Sequence, residues 1–183
     1  MNAHRIGQFA ALALAAGIAG SALAADAAPA PAAAPDPRDV VAEKMGFNIP
    51  YGAPISAQRA QAAIAAAAVE AAKRGWPLNI AVVDSGANLV SFLRMDGAQL
   101  ASIAISEHKA RASVKFRRPT RVFEDLLQTK DYKYIQTLDD VIASRGGIPL
   151  VEDGKLIGAI GCSGGSGAQD EVVCTVGAAT INK

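Results

Sequence analysis

Aromatic rings are scarce in this chain. One tryptophan, three tyrosines and five phenylalanines make up 5% of 183 residues, so the 51% hydrophobic content is mostly alanine and aliphatic. Base stacking needs aromatics interleaved with basic residues, and that pattern is missing, which argues against a nucleic-acid partner. A surplus of charge is missing too. Lys and Arg total 18 against 17 Asp and Glu. This balance excludes a disordered polyelectrolyte and gives no long-range field to attract a polyanion. Histidine and cysteine number two each; with only His4 and His108, a His-rich zinc site is excluded. No HExxH or CxxC occurs, and the one stretch with GxSxG lettering, residues 161–165, is not read as a nucleophile elbow. Gly161-Cys162-Ser163-Gly164-Gly165 follows an expected strand, but no Lys-Ser/Thr comes at P-loop spacing. The glycines do not form a GxGxxG opening a βαβ unit. No motif names a reaction, so whether the protein is an enzyme is left undecided here.

A long, strongly apolar run is also absent. Residues 1–24 instead read as a secretory signal peptide. Met1-Asn2-Ala3-His4-Arg5 carries one firm positive charge, an alanine- and glycine-rich apolar stretch follows to Gly20, and Ala22-Leu23-Ala24 fits the cleavage pattern. The stretch falls short of the roughly 20 strongly apolar residues of a membrane span, and no later segment resembles one. There is no twin-arginine pair or lipobox cysteine, so the expected destination is the periplasm or the medium. Cleavage would remove Arg5 and no acid, leaving the charges balanced. Residues 25–38 are rich in Ala and Pro and read as an extended, disordered linker.

Residues 39–183 read as one domain. A short helix is expected at 40–45, then a strong one at 57–74 with Ser56 as N-cap and Gly75 as its stop. Strands at 78–84 and 89–95 flank a turn at 85–88. Helices follow at 102–116 and 121–128, and 129–145 reads as irregular with some helix. A second hairpin, 148–151 with 155–162, turns on Asp153-Gly154, and a glycine-rich loop leads into a last helix at 169–181. Helix, hairpin, helices, hairpin, helix describes an α+β fold: a central antiparallel sheet of about five strands flanked by helices.

Four features carry candidate chemistry. His108 lies on the 102–116 helix beside two expected apolar stripes, Ile103/Ala110/Val114 and Ile105/Ala112/Phe116. Semi-buried there, it serves either as a heme-iron ligand or acid/base group, or as a hydrogen-bonded histidine between elements. Lys109, Arg111, Lys115, Arg117, Arg118 and Arg121 form a basic run, opposed within it by Glu107. It reads as a rim for heme propionates or a small organic acid, or as a solvated face. Residues 158–171 join a strand to a helix N-terminus, where free amides favour anions. Gly164, Gly165 and Gly167 serve ligand approach there or only a tight turn. Cys162 and Cys174 are placed to pair in an oxidising compartment, or stay as small buried residues or soft ligands.

Several stretches together resemble one family: Ala81-Val82-Val83-Asp84-Ser85-Gly86 with Leu89, Arg94-Met95-Asp96-Gly97-Ala98, Lys109-Ala110-Arg111, Arg118-Pro119-Thr120, Gly146-Gly147-Ile148-Pro149, Asp153-Gly154 with Ile157-Gly158-Ala159-Ile160-Gly161, then Ser163-Gly164 and Gln169-Asp170-Glu171. In this order they resemble the GlcG/HbpS-like heme-binding family, related to the C-terminal domain of PduO-type cobalamin adenosyltransferases. The likeness spans about residues 53–181. It implies an α+β domain, a homo-oligomer, and a heme or, in some members, corrinoid ligand. The cofactor-binding set expected from these readings is Arg94, Asp96, His108, Lys109, Arg118, Thr120, Ser163, Gly164, Gln169 and Asp170. Heme ligation by His108 comes from its chemistry, since neither it nor the cysteine pair belongs to the shared pattern. The resemblance thus implies a secreted tetrapyrrole binder, with a role in heme or redox sensing. The alternative is a binder or enzyme for a small organic acid, of the glycolate/diol type, using the glycine-rich loop and Asp170/Glu171.

Overall fold

The structure, a computed structural model, describes residue 36 and residues 41–182. The expected signal peptide and nearly all of the expected linker lie outside the described residues. Residues 43–183 make one compact unit, separate from residues 1–42, and the description concerns this unit. The order is α1 (Ala57–Arg74), β1 (Asn79–Asp84), β2 (Leu89–Arg94), α2 (Ala101–Lys115), α3 (Arg121–Thr129), a 3-10 turn (Lys133–Thr137), β3 (Gly147–Glu152), β4 (Lys155–Ser163) and α4 (Gly167–Ala178). These bounds follow the sequence expectation closely, with one exception. Residues 41–46 form no helix and are exposed; a single turn with nothing to pack on does not offset its nucleation cost.

The sheet has four strands among the described residues, in the order β2-β1-β4-β3, where about five were expected. All neighbours are antiparallel. A single parallel bridge from Tyr51 to Leu156 is the only further pairing described. The tight hairpin β3–β4 turns where Asp153 (φ 47°) and Gly154 (φ 72°) are both left-handed, as a two-residue turn between twisted strands requires. The outer edge of β3 is covered. Thr120 exchanges hydrogen bonds with Gly147, and the Asn182 side chain accepts from Val151 N and donates to Pro149 O. Such covering prevents the edge from pairing with another chain.

Side chains alternate across β1, and the two faces differ in kind. Ile80 and Val82 point into an aliphatic layer with Ile64, Leu150, Ile160 and Val173, closed by α1 and α4. Small residues on α1 (Ala60, Ala63, Ala67, Ala71) let the two helices approach closely. Ala81 and Val83 point the other way, toward α2. The buried residues of α2 are Ser102, Ser106, Lys109, Ala110, Ala112, Ser113 and Val114. Of the expected stripes, Ala110, Val114 and Ala112 are buried, while Ile103, Ile105 and Phe116 are half-exposed. The reason is the floor beneath the helix. A Cβ built on Gly161 would lie 2.1 Å from Ser106 O, and one on Gly147 would lie 2.3 Å from Lys109 O. Helix backbone rests on strand backbone, and only small side chains fit between.

Candidate functional site

Several of the expected site residues meet at the end of the sheet where β4 leaves and β3 enters. Lys109, from the helix layer on one face, reaches past Gly146 to Asp170, from the layer on the other. Nζ and Oδ2 are 2.8 Å apart, with side chains 1% and 2% exposed. Asp170 Oδ1 also accepts from Gly165 N at 3.0 Å. Burial pushes the Asp170 carboxyl up from its ordinary value, while Lys109 and the amides of Gly165 and Gly164 pull the other way. A side chain at Gly146 would strike this pair, its Cβ falling 2.8 Å from Asp170 Cβ. Gly164 (φ 151°) turns against Pro77 O, 2.7 Å from where a Cβ would be, so the chain's own packing demands this glycine. Ser163 is buried at the last position of β4. Gln169 is engaged in a capping box with Ser166. Cys162 and Cys174 are joined in a disulfide, Cα atoms 5.6 Å apart, closing the loop that holds Asp170. Thr120 is buried on Gly147. Together these groups tie the layers to one another, and the Lys109, Asp170, Thr120 and Gln169 side chains are each met by protein.

The basic run separates by partner. Lys109 pairs with Asp170, Arg111 with Glu107, Lys115 with Asp140, and Arg121 with Asp125 and Glu171. Arg145 binds Glu124 at 2.7 Å and lies 3.6 Å from Glu171. Burial works to raise the Glu124 carboxyl, but the Arg145 side chain and backbone outweigh it and hold it below the usual range. Asp170 and Glu171 are thus both occupied by cations. Arg117 and Arg118 remain. Their corner between α2 and α3 carries Phe47 at 4.1 Å and Phe123 at 5.9 Å from the Arg118 guanidinium, and Tyr51 at 5.8 Å from that of Arg117.

Arg94 and Asp96 lie elsewhere. They edge a shallow groove of about 550 Å³ between the end of β2 and α1, floored by Ala68, Val69, Ala72, Leu93 and Met95. Its size falls within the range of small-molecule sites. Met95 puts a thioether there, a type of group that binds heme iron. His108 is half-buried on α2, across the sheet from α1. The structure therefore does not bring His108 together with the Arg94 groove. Among the described residues no cluster of three His, Cys, Asp or Glu is placed to hold a metal ion, and no helix is long and apolar enough to cross a membrane. Asn79 is a buried polar residue that sequence patterning missed. Its Nδ2 donates to Gln99 O, while Oδ1 has no protein partner. Met95 and Arg145 also escaped singling out, the first absorbed into a motif, the second in a stretch without periodicity.

The fold, an antiparallel sheet between a helix pair and a single helix, with a glycine-rich seam and a β2-edge groove, defines a small α+β class. A family described as "Haem degrading protein HbpS-like" matches residues 55–179, and the chain belongs to this HbpS-like family. Protein GlcG of Escherichia coli (strain K12) is 39% identical over 109 residues, 60% of this chain and 81% of that one. The crystal structure of a double mutant of HbpS from Streptomyces reticuli is 30% identical, with TM-score 0.65, covering 84% of this chain and 100% of that chain. The crystal structure of a PduOC:heme complex is 28% identical, with TM-score 0.64, covering 70% and 96%.

Proposed function

We propose that this protein is an exported tetrapyrrole binder that takes heme, and that it serves heme or redox sensing. The observation that carries this reading is the relative solved with heme, almost all of which this chain matches in fold. The β2-edge groove is compatible with it. An apolar floor suits a macrocycle, Met95 supplies a soft donor, and the exposed Arg94 at the rim suits a propionate. When bound, heme would supply the iron chemistry; the groove's own residues would hold the ring and exclude water from one of its faces. Export is supported by the disulfide, which persists in oxidising compartments. Assembly into a homo-oligomer is supported by the exposed valines Val172 and Val176, one turn apart on α4, and Val69 on α1.

Titrating hemin into the protein tests the reading. A saturable Soret band at micromolar heme is expected, weakened by Arg94→Ala and altered in wavelength by Met95→Leu. His108→Ala probes the opposite face: loss of the band there, with Arg94→Ala unchanged, moves the ligand to α2. No saturable band rejects heme, and a parallel titration with cobalamin then tests the corrinoid. N-terminal sequencing of protein recovered from the periplasm checks cleavage after Ala24, and light scattering checks the assembly.

A further inference from the structure

Among the described residues, four of the six cations between 109 and 121 are matched to carboxylates, and the two that are not, Arg117 and Arg118, are consecutive. Arg118 Nε donates to Phe116 O at 2.9 Å and Arg117 Nη1 to Ile49 O at 3.4 Å. Among the described residues their other N–H groups meet no protein acceptor. Both side chains are half-buried. The Arg118 guanidinium carbon lies over the rings of Phe47 and Phe123, and that of Arg117 over the ring of Tyr51. A cation–π contact uses no N–H acceptor, so the remaining donors stay open to an anion. Two neighbouring guanidinium forks with no carboxylate partner among the described residues form a costly arrangement, since like charges repel and partial burial removes water. Burial first, and then the Arg117 charge, lower the Arg118 pKa from its ordinary value.

The backbone shows a second cost at the same place. Arg117 has φ 54°. It occupies the left-handed position just past the end of α2, where Arg118 N bonds back to Ser113 O and Arg117 N to Val114 O. Helices that end this way favour glycine at that position. An arginine here is strained relative to glycine, so its side chain is what the position offers in return.

We propose that the Arg117–Arg118 corner is an oxyanion receptor, taking the carboxylate or phosphate of a small molecule on guanidinium edges framed by Phe47, Tyr51 and Phe123. Forked N–H donors match both anions by geometry as well as charge. The receptor lies apart from the Arg94 groove and does not depend on heme binding, because the probes that test it carry no macrocycle.

The full chain is titrated calorimetrically with inorganic phosphate and with succinate, against chloride at matched ionic strength. Saturable 1:1 binding of one of them is expected; the tighter one identifies the anion class. Arg117→Gly should weaken that binding about tenfold, the loss of a charge-assisted hydrogen bond, while its melting temperature equals or exceeds that of the parent. Arg118→Lys, which keeps the charge and loses the fork, should weaken it by a smaller factor. Arg111→Ala, which removes a cation already paired with Glu107, should leave it unchanged. The proposal is overturned if neither anion binds beyond chloride, if Arg117→Gly binds as the parent does, or if Arg111→Ala weakens binding as much as Arg117→Gly.

Discussion

Ile160 and Gly161 are neighbours on β4, yet they build two different kinds of interior. Ile160 faces α1 and α4 across branched aliphatic carbon, where stability comes from apolar area removed from water and from filled space. Gly161 faces α2 across almost nothing, since the backbone of Ser106 and Ala110 rests on it. The first face fails when atoms are taken away, the second when atoms are added. The second face also admits polar groups. Its serines bond locally, as Ser106 does to Ile103 O, and its one buried charge, Lys109, leaves the layer to find Asp170 beyond the sheet's end. Hydrophobicity therefore does not report burial equally on the two faces.

The largest effect should come from breaking the ion pair that joins the layers. Asp170→Ala leaves Lys109 buried without its counter-charge, and about 4 kcal/mol of stability should be lost in urea unfolding. Lys109→Met combined with Asp170→Leu should restore most of it, because a buried pair is worth little against an apolar replacement of similar size; failure to recover would mean that the pair itself specifies the layer geometry. Next, Ile160→Ala should cost about 3 kcal/mol through lost burial and a cavity. Gly161→Ala, one residue along and one methyl larger, should cost about 2 kcal/mol through overpacking. A stable Gly161→Ala would erase the distinction between the faces. Reduction of Cys162–Cys174, or their joint replacement by alanine, should cost about 3 kcal/mol for a loop of 12 residues and should expose the Lys109–Asp170 region first, which hydrogen exchange at Gly164 and Gly165 would show.

The smallest effect lies outside both faces. Glu124 is held below its ordinary value of 4.5 in the folded state, against burial, by Arg145. Its folded pKa is thus lower than its unfolded pKa. The stability it contributes is present above that unfolded value and is lost as pH falls from about 4.5 through the folded one. Glu124→Gln should lower stability at neutral pH by on the order of 1 kcal/mol and flatten the acid limb of the stability profile. An unchanged acid limb would show that the Arg145 network contributes nothing measurable.

The sequence by itself determined the elements. Ser56 and Gly75 bound α1, Asp153-Gly154 closes the second hairpin, and period-two runs give the strands, because caps, turns and alternation act over a few residues. The ordered motifs carried the family as well, since their spacing records the whole fold. Pairing of the cysteines, left undecided by spacing, was settled by the meeting of β4 and α4. Tertiary structure alone decided which face of α2 is buried. Apolar patterning pointed to Ala110, Ala112 and Val114, which are buried, but also to Ile103 and Ile105, which are not; a floor of Gly147 and Gly161 selects by size, and no window along the helix contains that floor. It alone also separated His108 from the Arg94 groove by a sheet, gave Lys109 and Lys115 their distant acids, and left Arg117 and Arg118 without one among the described residues. Lys109–Asp170 and Lys115–Asp140 join positions distant in the chain, and a run of charges carries no record of such partners, whereas Arg111–Glu107 and Arg121–Asp125 are i,i+4 pairs on one helix.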